Sequence, residues 1–225
     1  MFTIIIVNIV KHGGIIMKKF LYVGIFMLAM GCLSLMLDFL ETQNVQAADV
    51  TLSTSVQEYL SFSITSGATV AFGALTPGTP ISAPATGTVA SVTTNASNGY
   101  QISLNDGSDT DSPLVHTDTS TKISDFSTAS TLASPVAWGT STGLGVTMYA
   151  ADTSKEAGWG TGTTYSDANN KYAKIPASAA VGHTVSAYKA TADTSTWAFK
   201  IDVPNTQKTG SYTGAVTFTA TAVLT

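Results

Sequence analysis

The sequence predicts an all-β fold: an antiparallel β-sandwich of immunoglobulin-like type, with long loops in its middle segment and an N-terminal signal helix. Three observations carry this. From Ala48 onward about a third of the residues are Ser or Thr, and Thr, Val, Tyr and Phe favour a pleated, half-buried surface. Apolar and polar residues alternate in several stretches, which is the period of a strand. No long amphipathic helix is visible after the signal segment. The low complexity would also fit disorder, but disordered chains have few aromatics and a high net charge. Here aromatics make up 9% of the chain and the formal net charge is only −4.

The first element is a targeting segment. Lys18 and Lys19 form a positive n-region behind Met17, and residues 20–37 are an apolar run. Val45 and Ala47 put small residues at the −3 and −1 places of a signal-peptidase site, so cleavage is expected after Ala47. Residues 1–47 are thus a signal region and residues 48–225 a single domain. The apolar run is also long enough to span a bilayer, so retention as an anchor is the alternative. Asp38 and Glu41 just beyond it fit a cleaved segment better. Residues 1–16 add a second apolar stretch that a signal does not need, and Met17 reads as the true start. Cys32 is the one cysteine. It lies in the stretch LAMGC, a poor lipidation motif, and reads as part of the apolar run, lost on cleavage. The mature domain then has no disulfide, and its length is enough for sheet packing alone to hold it.

The strands follow in order. Leu60, Phe62 and Ile64 share one face of the first, with Ser61 and Ser63 on the other. Val70 and Phe72 come next. TPGTPISAP, with three prolines and a glycine, is expected to break the sheet, and TGTVASVTTN to resume it. Ser97, Asn98 and Gly99 signal a turn, and Tyr100, Ile102 and Leu104 mark the strand after it. Between Asn105 and Ser195 the alternation weakens to Leu144, Val146 and Met148, and to Val185 and Ala187; the remainder reads as long loops. Trp197, Phe199, Ile201 and Val203 then alternate up to Pro204, which offers no N–H to a ladder. Past the turn NTQKTG, Tyr212, Gly214, Val216, Phe218, Ala220, Ala222 and Leu224 keep one phase. This stretch is expected to be one long central strand of about 40 Å, at roughly 3.3 Å per residue, paired as a hairpin with the Trp197 strand.

Several function classes are excluded by composition. All ten basic residues are Lys, and the seven after residue 48 stand singly among twelve acids. Nucleic-acid backbones call for clustered Lys and Arg, so no nucleic-acid partner is expected. An enzyme needs positioned nucleophiles, bases or metal ligands. The mature chain offers His116 and His183, without an H-x-x-x-H spacing, and no G-x-S-x-G; no enzyme is expected. Nor do the terminal strands hold the Lys and Asn of an isopeptide bond, and the C-terminus shows no LPxTG-like sorting signal. Any hold on a cell surface is therefore expected to be non-covalent. Asn95-Ala96-Ser97 matches a glycosylation sequon.

Two groups of residues are candidate sites. Trp138, Trp159, Tyr149 and Tyr165 in the middle segment could form an aromatic platform for sugar rings, with Trp159 the best placed because glycines flank it; core packing is the commoner use of such residues. Asp106, Asp109 and Asp111 in NDGSDTD bring carboxylates together in one loop, a candidate Ca²⁺ site, since Ca²⁺ takes six to eight oxygen ligands. The alternative is a solvated turn.

FGALTPGTP (residues 72–80), VTTNASNGYQISL (92–104), WAFKIDVP (197–204) and TGSYTGAVTFTATA (209–222) together make a layout that resembles WxL-like surface proteins and uncharacterised secreted β-sandwich proteins of bacteria. The Trp-x-Leu pairs of that family are absent: Trp197 is followed by Ala and Phe, and Phe218 stands where the second Trp is expected. The resemblance implies a β-sandwich that attaches non-covalently to peptidoglycan and assembles with other surface proteins. The functional expectation is a secreted or cell-surface structural protein of adhesion or coat type, associated non-covalently with the envelope or self-assembling. Its partners would be cell-wall polysaccharide, other surface proteins or copies of itself. The alternative is a carbohydrate-binding module using the middle-segment aromatics.

Overall fold

The computed structural model describes residues 24–31, 50–107, 111–126, 129–153 and 155–224. The chain divides into two units, Met1–Thr54 and Ser55–Thr225. In the first, residues 24–31 are helical and exposed. Among the described residues no helix is long and apolar enough to cross a membrane. Lys18, Lys19, Cys32 and the expected cleavage site at Ala47 lie outside the described residues.

The second unit is all-β. Its strands are β1 (Leu60–Ser66), β2 (Ile81–Thr94), β3 (Tyr100–Asn105), β4 (Val115–His116), β5 (Val136–Ala137), β6 (Gly143–Ala151), β7 (Lys171–Tyr172), β8 (Ala180–Val185), β9 (Lys189–Asp202), β10 (Tyr212–Thr213) and β11 (Thr217–Ala222). A four-stranded sheet runs β1-β2-β9-β6 and a three-stranded sheet β11-β3-β8, while β10 pairs with β4 and β5 with β7. All these pairings are antiparallel.

The alternation places the inward faces where the sequence pattern puts them. Tyr100, Ile102 and Leu104 of β3, and Trp197, Phe199 and Ile201 of β9, are all buried. Side chains of both large sheets contribute to one core. Trp197 is central to it. Its ring meets Phe218 of β11 at 5.7 Å and Trp159 at 5.4 Å, both edge to face. Gly182 of β8 makes room for this ring, because a Cβ there would lie 3.0 Å from its Cη2 atom. Tyr100 of β3 donates its hydroxyl proton to Asp193 of β9 at 2.7 Å, a polar tie between the two sheets.

Two expectations are corrected. The terminal stretch is neither one strand nor central. It is split into β10 and β11, which pair with β4 and β3 rather than β9, and β11 is the outer strand of its sheet. At the break the backbone of Gly214 passes close to Pro113, and a Cβ there would stand 2.0 Å from the Pro113 carbonyl oxygen. The preceding turn is carried to β4 by Tyr212, whose ring packs on His116 at 5.0 Å, and by a contact between His116 Nε2 and the Thr209 carbonyl at 3.2 Å. The long interior strands are instead β2 and β9, 14 residues each, and β9 starts at Lys189, in a Thr-rich stretch with little alternation.

The proline stretch does not wholly break the sheet either. β2 begins at Ile81 and passes through Pro84, and its pairing with β9 shifts between Ala83 and Thr88 and again between Val92 and Thr94. A proline cannot donate to a ladder, so it sits where the register slips. Apart from β6, β8 and the start of β9, the described residues of the middle segment form loops and short elements, and much of this stretch is packed. Phe126, Trp138 and Tyr172 form a second, smaller buried cluster, and Ile123, Leu132, Ala173 and Ile175 join the main core.

Candidate functional site

The aromatic candidates do not form a platform. Trp159 is 1% exposed and Trp138 5%, and they belong to different hydrophobic clusters. Trp159 closes a short 3-10 turn, Ala157–Trp159, and pins it to β8 through an indole N–H bond to the Gly182 carbonyl at 3.0 Å. Glu156, just before that turn, accepts the Thr184 backbone N–H at 2.7 Å and contacts His183 Nδ1 at 2.9 Å. Burial alone would raise the Glu156 carboxyl, but the bonds from His183 and Thr184 outweigh it and hold the group below the usual carboxylate range.

Trp138 lies flat on Phe126, with centroids 4.5 Å apart and planes at 11°. It meets Tyr172 edge to face at 5.2 Å. Lys200 of β9 stands over both Trp138 and Tyr172, at 5.2 and 5.3 Å from their centroids; burial lowers its ammonium pKa. This stack needs Gly145 beneath it, since a Cβ there would come within 3.0 Å of Phe126. Tyr149 and Tyr165 are half-buried. The Tyr149 hydroxyl lies against Gly87, where a Cβ would be 2.4 Å from it, and burial raises its pKa.

Asp106 carries buried carboxyl oxygens, Asp111 is exposed, and Asp109 lies outside the described residues. Among the described residues no group of three His, Cys, Asp or Glu is placed to hold a metal ion. The strongest polar cluster was not singled out from the sequence. Asp193, almost fully buried, accepts the hydroxyls of Tyr100 and Thr153 at 2.7 and 2.8 Å and lies 3.4 Å from Lys189 Nζ. Burial first, and then the bond to Asp193, raises the Tyr100 phenol above its ordinary value. These groups satisfy one another and tie β3, β9 and residue 153 together.

One surface feature is built differently. β1, with β6, bounds the four-stranded sheet, and β11, with β8, bounds the three-stranded one; among the described residues β1 pairs with β2 alone and β11 with β3 alone. A groove of about 260 Å³ is lined by Ile64 of β1, Val70, Phe72, Phe199, Val216 and Phe218 of β11. No charged side chain lines it. Val70 and Phe72, which follow the first strand in the sequence, thus serve as walls of the groove and also pack on the core.

Next to β1 the chain carries an apolar segment that the strand pattern had overlooked. Val50, Leu52 and Val56 are 80, 89 and 84% exposed. They share the even-numbered phase of Leu60, Phe62 and Ile64, which is the signal that could have marked them. The sequon asparagine is engaged nearby: Asn95 accepts the Tyr59 N–H at 2.6 Å and donates to the Gln57 carbonyl at 2.7 Å.

No protein-family model, curated protein or solved structure matches this chain.

Proposed function

We propose that this chain is a secreted or cell-surface structural protein, held non-covalently at the envelope or assembled with copies of itself. Its mature part is read as an antiparallel β-sandwich of immunoglobulin-like type, the three- and four-stranded sheets being its two layers. One observation carries the assembly reading: the two large sheets each end in a strand paired on one side only, and those strands flank an uncharged apolar groove. An unpaired edge is a template for another strand, and an apolar groove is the usual seat for its side chains. The signal-like N-terminal sequence and the resemblance to WxL-like surface proteins support the location. The carbohydrate-binding alternative loses its support, because Trp138 and Trp159 are consumed by packing.

Cell fractionation tests the reading. The protein is expected in the medium or in the envelope fraction, and released from the envelope by a chaotrope without wall digestion. A pull-down on isolated peptidoglycan then separates wall contact from self-assembly. Retention in the cytosol with residues 1–47 intact would overturn the proposal.

A further inference from the structure

We infer that the loops of the middle segment seal the β6 and β8 edges of the two large sheets, and that the turn at Glu156–Trp159 is the part of this seal that keeps β8 from pairing with the β8 of a second copy. The seal stands on the bonds along β6 and β8. Its use, to confine assembly to the β1 and β11 edges, rests on the assembly reading above.

Each large sheet has two end strands, β1 and β6 in one, β11 and β8 in the other. An end strand is a template for another chain unless something covers it. β6 is covered by backbone. Val146 and Ala173 exchange both of their N–H···O=C bonds at 2.9 Å. The Leu144 N–H reaches the Ser124 carbonyl, and the Phe126 N–H reaches the Leu144 carbonyl, each at 2.9 Å. The groups that another strand would use at Leu144 and Val146 are therefore spent.

β8 is covered by side chains instead. Its sequence, AVGHTV, holds no proline and no Lys, Asp or Glu, the make-up of a strand that pairs readily. Val181 and Thr184 are exposed, and among the described residues β8 pairs with β3 alone. The Trp159 indole N–H takes the Gly182 carbonyl at 3.0 Å, and Glu156 takes the Thr184 N–H at 2.7 Å. Gly182 and Thr184 are alternate residues, the spacing at which an antiparallel partner draws its bonds. The turn thus holds the places an added strand would need. It is fixed from behind: the Trp159 N–H bonds to the Glu156 carbonyl at 3.0 Å, and the Trp159 ring meets Trp197 edge to face. The partner kept out is a second β8. A two-fold axis pairs such a strand with itself, and no like charges then stand opposite one another, because the one titratable side chain of β8, His183, is buried.

The test uses the full chain. Glu156→Ala with Trp159→Phe removes the carboxylate and the indole N–H while leaving a ring to pack on Trp197. Sedimentation beside wild type at matched concentrations should show self-association strengthened by on the order of 10-fold, as the freed groups pair again across an interface. Adding Val181→Lys and Thr184→Lys sets like charges along the exposed edge and should return the variant to wild-type behaviour. Glu156→Ala alone, at a half-buried position, should move the same way by less, and it carries the test if the double variant loses its circular dichroism signal. No gain over wild type in a folded variant overturns the proposal. So does a gain that the two lysines leave in place, since the new contact then lies away from β8. A wild-type chain that is monomeric at every concentration, beside a variant that gains association reversed by the lysines, overturns the assembly reading and supports the seal.

Discussion

Replacing Trp197 with Ala removes the side chain on which both large sheets converge. The indole is fully buried, meets Trp159 and Phe218 edge to face, and donates its N–H to the Ser195 hydroxyl at 2.9 Å. Truncating a buried Trp to Ala costs about 3–5 kcal/mol, and each lost edge-to-face pair is worth about 0.5–1.5 kcal/mol within or beyond that figure. A loss of about 4 kcal/mol is therefore expected, a large part of the roughly 5–15 kcal/mol by which a domain is stable. The mature chain is expected to carry no disulfide to offset it. With a urea slope of about 2 kcal/mol per M, the midpoint should fall by about 2 M. Urea titration followed by circular dichroism reads this without relying on the tryptophan signal. Phe218→Ala is the internal comparison. Phe218 is only half-buried on an outer strand, so its cost should be visibly smaller. A Trp197→Ala shift below about 0.5 M, or one smaller than that of Phe218→Ala, would refute the shared core.

Three further outcomes follow from the same contacts. Gly214→Ala forces a methyl onto the Pro113 carbonyl and should destabilise the domain by about 1–3 kcal/mol, read as a lower urea midpoint. Lys200→Ala removes the ammonium from the Trp138 and Tyr172 faces and should cost about 0.5–2 kcal/mol, with a change in near-ultraviolet circular dichroism from the aromatic stack. Glu156 has a depressed folded-state pKa, so its contribution is fully present above its ordinary value of 4.5 and is lost as pH falls through the folded value. The gap in melting temperature between wild type and Glu156→Gln should therefore be widest near neutral pH and close on acidification; a gap that widens with acid would contradict the His183–Glu156 contact.

Alternation reveals which face of a strand is buried, and not which strand lies beside it. Trp197, Phe199 and Ile201 were legible as an inward face, as were Tyr100, Ile102 and Leu104, because each apolar residue is flanked by smaller or polar ones. The partner of the terminal stretch was not legible. Proximity in sequence favours a hairpin with β9, whereas the observed partner of β11 is β3, with Phe218 opposite Leu104. Nothing local encodes that pairing, and the close approach of Gly214 to Pro113 is likewise invisible in a stretch where Gly214 reads as an ordinary in-phase residue. The middle segment misled in a related way. Glycines around Trp159 look like signs of exposure, but Gly145 and Gly182 act at a distance: they leave space for Phe126 and Trp197 to pack. The groove was illegible for the same reason, since Ile64, Phe199 and Phe218 meet only after three strands are placed. The exposed segment at Val50, Leu52 and Val56 was passed over, although its even-numbered phase is that of β1.

Sedimentation of the wild-type chain over a wide concentration range bears most directly on the claim that this protein assembles through its open sheet edges. The account predicts a mass above that of one chain that grows with concentration. A single-chain mass at every concentration would contradict it.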